Sequence, residues 1–186
     1  FLGRMTPDKG AAEAIAVARR AGIPLVLAAK MREPAERAYF DERIRPLLGS
    51  GVDFVGEVGG TDKLDLLAGA AALVNPIQWD EPFGLVMIEA LACGTPVLST
   101  ARGAAPEIVD AGVTGCLGAD EDDLVAAAGA IGDLDRVACR AAVAQRFSTA
   151  RMVEEHLDLF ARILAAREAG RRMTERRPTG VPAGRR

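Results

Sequence analysis

Short apolar runs alternate along the chain with longer segments in which apolar residues recur every three or four positions. The apolar runs predict six strands, at residues 1–2, 24–29, 52–55, 72–74, 96–99 and 115–117. Strands that are apolar throughout and separated by helix-sized segments are typical of a parallel sheet buried on both faces. The pattern therefore predicts a doubly wound α/β fold with a mostly parallel, Rossmann-like sheet, which binds ligands at the carboxyl ends of its strands.

The segments between the strands carry helix start and stop signals. Thr6 followed by Pro7 predicts a helix start, and Gly22 predicts the end of that helix. Further helices are predicted at residues 33–48, 62–70, 84–92, 105–111, 120–147 (as one or two helices) and 148–166, the last with Ser148 as its cap. The segment 84–92 is apolar all round apart from Glu89, which predicts a buried helix.

Charge is distributed unevenly along the chain. The net charge of −3 gives no reason to expect nucleic acid as a partner, yet residues 167–186 contain seven Arg and two Glu. This segment lacks an apolar stripe and contains Gly and Pro, so we expect a disordered basic tail after a folded domain of residues 1–166. Such a tail either makes peripheral contact with an acidic membrane surface or is a solvated end that aids solubility.

Three cysteines without a CxxC spacing favour free thiols in a reducing compartment. No apolar run approaches the roughly 20 residues needed to cross a bilayer, and no signal peptide is visible. These features predict a cytoplasmic location. The sequence opens on Phe1 inside a predicted strand, so we expect it to be part of a longer protein.

Glu89 raises a chemical question, because apolar residues flank it on both sides. A buried carboxylate is costly unless a basic residue, backbone amides or ligand hydroxyls donate hydrogen bonds to it. Gly84 opens the same helix about 7.5 Å away, at about 1.5 Å per residue, and the free amides of a helix start attract anions. A phosphate at Gly84 and a vicinal diol at Glu89 match the length of a nucleoside diphosphate. Glu81 would then face the group carried by the outer phosphate.

A second element supports a diphosphate site. Arg4 follows the first strand and Lys9 lies at the opening of the following helix, with Gly3 and Gly10 reducing the bulk around them. Two cations at the carboxyl edge of a sheet suit a diphosphate and can stabilise it as a leaving group. Each element alone is also typical of a structural ion pair or a solvated loop, and their joint presence favours the functional interpretation.

These motifs resemble a known family. The block EPFGLVMIEALACGTPV, followed by ARGAAPEIV, resembles the E-x₇-E segment of the retaining GT-B glycosyltransferases of family 4, the "glycosyl transferases group 1". GRMTPDKG is similar to their Gly-Arg-x-x-x-x-Lys-Gly loop, and VDFVGEV to the strand and turn before their base pocket. The resemblance covers residues 1 to about 147. It implies the carboxy-terminal, nucleotide-sugar-binding half of a two-domain enzyme, whose amino-terminal acceptor domain is missing from these residues.

The resemblance also implies residue roles. Arg4 and Lys9 match the residues that bind the diphosphate and stabilise the leaving group. Glu81 matches the acid that contacts the donor sugar, and Glu89 the acid that holds the ribose hydroxyls. The other implied donor-binding residues are Gly3 in the cationic loop, Glu57 and Val58 beside the base, and Phe83, Gly84 and Leu85 in the turn whose amides meet the sugar and phosphates.

The implied activity is transfer of a glycosyl group from a UDP- or GDP-sugar to a saccharide, lipid or small-molecule acceptor. The family retains configuration and needs neither a cofactor nor a metal. A nucleotide-sugar-binding module or inactive fragment remains open as an alternative, and a GT-B epimerase is disfavoured by the E-x₇-E context. Trp79 and Gln78 either line the sugar pocket or cap the sheet edge, and Arg102 and Gly103 either shape the pocket or only form a turn.

Overall fold

The computed structural model describes the backbone of residues 1–175 and the side chains of residues 1–169. Its six strands all pair in parallel and begin within one residue of their predicted starts. They are β1 (Leu2–Arg4), β2 (Leu25–Lys30), β3 (Val52–Gly56), β4 (Leu73–Asn75), β5 (Val97–Thr100) and β6 (Gly115–Gly118). The predicted parallel α/β architecture is therefore confirmed.

Hydrogen bonds join the strands in two groups, ordered β1-β2-β3 and β4-β5-β6. The loops that follow β1 and β4 nevertheless meet, because the Gln78 backbone N–H donates to the Asp8 carbonyl at 2.9 Å. Gly10 lies so close to the second loop that a Cβ there would be 2.1 Å from the Pro76 carbonyl oxygen. The carboxyl ends of β1 and β4 are thus side by side, and the candidate site lies beside them.

Eight α-helices occur in the described part of the chain. They are α1 (Ala11–Ala21), α2 (Pro34–Tyr39), α3 (Gly60–Gly69), α4 (Leu85–Ala92), α5 (Ala105–Ile108), α6 (Glu121–Ala128), α7 (Arg136–Arg146) and α8 (Thr149–Glu175). A 3₁₀ turn at Pro7–Lys9 precedes α1, so the helix predicted from Thr6 is interrupted at Gly10. The predicted helix 33–48 is α2 extended by one π turn, Phe40–Ile44, and one 3₁₀ turn, Arg45–Leu47.

The core is built largely from small and aliphatic side chains. On α1, Ala11, Ala14 and Ala18 are completely buried, and they belong to the same apolar cluster as Leu124 of α6 and Leu27 of β2. Short side chains let a helix lie close to its neighbours, which explains how a chain with only 4% aromatic residues still forms a packed interior.

The prediction that α4 is buried on every side is wrong. Met87, Ala90 and Leu91 are fully buried, whereas Leu85 is 63% exposed and the Glu89 side chain 37% exposed. One face of this helix packs into the core, and the other reaches the surface beside the candidate site. An almost wholly apolar helix such as α4 can therefore still leave one face exposed.

The chain divides into two compact units, Phe1–Gln145 and Arg146–Arg186. In the second unit, Ser148 acts as the predicted cap, because its hydroxyl accepts the Arg151 backbone N–H at 3.3 Å. Helix α8 continues past the predicted end at residue 166, so residues 167–175 are helical rather than disordered. The remainder of the predicted tail, residues 176–186, lies outside the described residues. None of the helices in residues 1–175 combines the length and the hydropathy that a membrane-spanning helix requires.

Candidate functional site

A pocket of about 240 Å³ lies where the loops after β1 and β4 meet the start of α4. The residues predicted for the site that line it are Gly3, Lys9, Glu81, Phe83, Gly84 and Leu85. The other predicted site residues, Arg4, Glu57, Val58 and Glu89, lie outside this lining. The fold therefore brings Lys9 together with the residues predicted to meet the donor sugar. Arg4, which is predicted to bind the diphosphate, lies outside this lining, as do the residues predicted to meet the base and ribose.

Lys9 and Glu81 form an ion pair in this pocket, with the Lys9 ammonium donating to Glu81 Oε2. Their side chains are only 23% and 17% exposed, so the pair is shielded from solvent more than an ordinary surface pair. The Lys9 Nζ also lies 5.0 Å from the centre of the Trp79 ring, a cation–π contact. The ammonium is thus held between a carboxylate and an aromatic face, next to the pocket.

The start of α4 forms the opposite wall. Leu85 and Val86 occupy the first helical positions, where backbone N–H groups have no partner within the helix, and both line the pocket. Phe83 and Leu85 are more than half exposed and give the pocket an apolar rim. A cation and a helix start that face the same small cavity form a site suited to an anion.

Gly103 determines where the Glu81 loop lies. The Ala104 backbone N–H donates to the Glu81 carbonyl at 2.8 Å. Gly103 has φ of +53°, and a Cβ there would lie 2.3 Å from both the nitrogen and the carbonyl oxygen of Glu81. Of the two interpretations that the sequence left open, the structure favours the one in which Gly103 shapes the pocket, because it supports a pocket-lining residue.

Arg4 is held by a carboxylate that sequence reasoning missed. Glu36 Oε1 accepts from Arg4 Nε at 2.9 Å and from Arg4 Nη2 at 2.7 Å. Glu36 Oε2 accepts the backbone N–H groups of Arg32 at 2.7 Å and Glu33 at 3.0 Å. The available signal was local, since an acid three residues into a helix commonly bonds back to the N-cap backbone.

These bonds lower the pKa of Glu36 from 4.5 to about 2, first through the Glu33 backbone N–H and then through the Arg4 side chain. Because the pKa is lower in the folded state, Glu36 contributes stability that is present above pH 4.5 and is lost as the pH falls towards 2. We therefore expect Glu36→Gln to lower the unfolding temperature near neutral pH. The gap in unfolding temperature between the variant and the unmodified protein should narrow below pH 4.5. Thermal unfolding followed by circular dichroism over this range measures the gap, and a constant gap would contradict the expectation.

Glu89 is paired at the surface rather than in the core. Its Oε1 accepts from the Lys63 ammonium at 2.7 Å, and the two side chains are 37% and 28% exposed. The sequence left a basic residue, backbone amides and ligand hydroxyls open as donors to Glu89, and in the structure the donor is a basic residue, Lys63. Glu57, at the end of β3, pairs with Arg32 at 3.1 Å, with both side chains at least half exposed.

Similarity to known proteins extends over most of the chain. The family model described as "Glycosyl transferases group 1" matches residues 1–134. Over 185 residues the chain is 32% identical to alpha-maltose-1-phosphate synthase of Mycolicibacterium smegmatis, a match that covers 89% of this chain and 48% of that protein. The crystal structure of AviGT4, a glycosyltransferase involved in avilamycin A biosynthesis, shares 35% identity with a TM-score of 0.70, covering 88% of this chain and 51% of that one.

A third similar structure is that of Anabaena Alr3699/HepE in complex with UDP-glucose. It shares 26% identity with a TM-score of 0.69, and the match covers 86% of this chain and 48% of that one.

The fold is that of the carboxy-terminal half of a GT-B glycosyltransferase. The chain belongs to the glycosyl transferases group 1 family, as the resemblance of its motifs had implied. It spans about half the length, or less, of the curated relatives that it matches.

Proposed function

We propose that this chain is the donor-binding half of a glycosyltransferase that transfers a glycosyl group from a nucleotide-diphosphate sugar to an acceptor. The observation that carries the proposal is the convergence of Lys9, Glu81 and the start of α4 on one pocket. UDP-sugars are the first donors to test, with GDP-sugars second, because Anabaena Alr3699/HepE, which is similar to this chain, has been crystallised with UDP and with UDP-glucose.

In this scheme the diphosphate lies at the start of α4 beside Lys9. The ammonium and the helix amides stabilise the charge that develops on the leaving diphosphate, which is electrostatic catalysis. Arg4, presented from the end of β1, adds a second positive charge, so the scheme requires no metal ion. Lys9 orients the Glu81 carboxylate, which accepts hydrogen bonds from hydroxyls of the donor sugar.

The stereochemical course that we propose is retention. The acceptor attacks from the face on which the diphosphate departs, and its proton passes to that same side. The cationic pair and the helix start hold the leaving group at this face, so it remains available to take up the proton. The acceptor itself is a saccharide, lipid or small molecule, and cytoplasm is the proposed location because Cys93, Cys116 and Cys139 are free thiols.

The direct test is calorimetry on the complete protein with UDP, GDP and ADP, followed by product analysis with the matching nucleotide sugar and a panel of acceptors. Diphosphate binding with retained-configuration product supports the proposal. Binding without turnover on any acceptor would instead fit a nucleotide-sugar-binding module. Absence of binding to all three diphosphates would contradict both functions.

Glu89 provides a separate test, of the ribose contact. Its ion pair with Lys63 uses Oε1, which leaves Oε2 outside the pair and able to accept a hydrogen bond from a ribose hydroxyl. We expect the unmodified protein to bind UDP about tenfold more tightly than 2′,3′-dideoxy-UDP. Glu89→Gln should lose most of that preference, because its single amide oxygen faces Lys63 and the NH₂ group that replaces Oε2 donates instead of accepting. Equal preference in both proteins, measured by calorimetry, would exclude Glu89 as the ribose anchor.

A further inference from the structure

The Arg4 side chain is fixed from one side only. Its Nε and Nη2 atoms both donate to Glu36 Oε1, whereas Nη1 lies outside the pair. The Arg4 side chain is still 57% exposed, although its partner is only 3% exposed. The guanidinium is therefore anchored along one edge and presented to solvent along the other.

The anchor is itself rigid. Glu36 lies in the first turn of α2, and its second oxygen is occupied by the backbone N–H groups of Arg32 and Glu33. Four hydrogen bonds fix the carboxylate in a buried position, so its charge is compensated and its orientation is set by the backbone. Arg4 stands opposite Lys30 in the parallel β1–β2 register, so the end of β1 lies beside the segment that leads into α2.

A buried carboxylate that needed only charge compensation would be best served by a buried cation. Here the cation is more than half exposed, and a free arginine in this position would lose considerable rotamer freedom on binding a ligand. The anchoring bond removes that freedom in advance. The planar guanidinium then offers N–H groups in a fixed direction, which is the geometry that favours a phosphate.

We infer that Glu36 is a positioning residue that holds the Arg4 guanidinium so that its remaining N–H groups bind the outer phosphate of a nucleoside diphosphate. The inference rests on the proposed function, in which Arg4 contacts the diphosphate. Glu36 lies outside the pocket lining and influences ligand binding only by orienting Arg4.

The test compares UDP with UMP, since only UDP carries the outer phosphate. Dissociation constants are measured by calorimetry on the complete protein for four forms: unmodified, Glu36→Gln, Arg4→Met and the double variant. We expect the preference for UDP over UMP to fall about tenfold in each single variant and no further in the double variant, because both changes remove the same contact. Glu33→Gln is the matched control, since it removes an equal charge at the N-cap of the same helix. Its amide oxygen can still accept the Glu36 backbone N–H of the capping box, so this variant should keep the preference.

The outcomes separate positioning from a purely structural role. If Glu36→Gln lowers the unfolding temperature but keeps the UDP preference, or lowers the preference again in the Arg4→Met background, the inference is overturned. If Glu36→Gln fails to fold, Arg4→Lys replaces it as the test variant, because it leaves Glu36 and α2 unchanged. An undiminished preference for UDP over UMP in Arg4→Lys also overturns the inference. If the preference for UDP over UMP depends on Lys9 but on neither Arg4 nor Glu36, only this inference is overturned. If the unmodified protein binds none of UDP, GDP and ADP, the proposed function is overturned as well.

Discussion

Replacing Lys9 by Met is expected to reduce glycosyl transfer by the complete protein about 100-fold or more, the scale seen when one preorganised electrostatic donor is removed from an active site. The Lys9 ammonium lines the pocket and pairs with Glu81, so its loss removes the charge proposed to stabilise the departing diphosphate. The change also leaves the partly buried Glu81 carboxylate without that partner. Initial rates with a UDP-sugar at saturating concentration measure the effect on turnover directly.

Lys30→Met is the matched control for this prediction. Lys30 ends β2 next to Arg4 in the strand register, but it is not part of the pocket lining. The control removes an equal charge close to the same sheet edge, and we expect its turnover to stay within about threefold of the unmodified protein. Comparable losses in the two variants would mean that general electrostatic attraction, rather than a contact at the leaving group, explains the Lys9 result.

Gly103→Ala is expected to cause the second large effect, on both stability and turnover. The added Cβ would meet the backbone of Glu81 at 2.3 Å, and φ of +53° is unfavourable for Ala. Left-handed backbone strain alone costs about 1–3 kcal/mol, and the clash with backbone atoms adds to it. The Glu81 loop must move to relieve the clash. Because Glu81 is proposed to contact the donor sugar, a displacement of about 1 Å there can cost about 100-fold in rate.

Gly112→Ala separates the two contributions. Gly112 also has a positive φ, of +78°, but an added Cβ would meet no atom within 4 Å. This variant should therefore show backbone strain of about 1 kcal/mol without loss of turnover. Denaturant unfolding and initial rates are measured on both variants. Equal destabilisation of the two, with full turnover in Gly103→Ala, would contradict the proposed support of Glu81 by Gly103.

Local signals explain why the elements were predictable. The strands are short, mainly apolar runs between helix-sized segments. Gly22 and Asp120 mark a helix end and a helix start through interactions within a few residues. The interruption of the first helix at Gly10 was missed. Gly10 has a left-handed backbone, with φ of +79°, and it lies against the Pro76 carbonyl of a distant loop, where a Cβ would not fit. The extension of α8 beyond residue 166 was also missed, since Gly and high charge weighed against order while the surrounding Ala, Arg and Glu are strong helix formers.

The site was predicted only in part. The sequence motifs identified Lys9, Glu81 and Gly84, and the structure places them in one pocket. The partners Glu36 and Lys63 carried no functional signal in the sequence, because charged residues on a helix are usually solvated. Predicted burial of Glu89 also failed, since an apolar helix can leave one face open beside a cavity.

The sequence by itself determined the order and type of most elements and supplied the candidate site residues, because periodicity, capping and motif spacing depend on neighbours along the chain. Only the tertiary structure decided which charges meet. Lys9 and Glu81 are separated by 72 positions and Arg4 and Glu36 by 32. Arg4 and Glu36 meet because β1 and β2 pair in parallel, and Lys9 and Glu81 meet because the loop after β1 lies against the loop after β4. That juxtaposition depends on packing across the whole fold, which no local stretch of the sequence encodes.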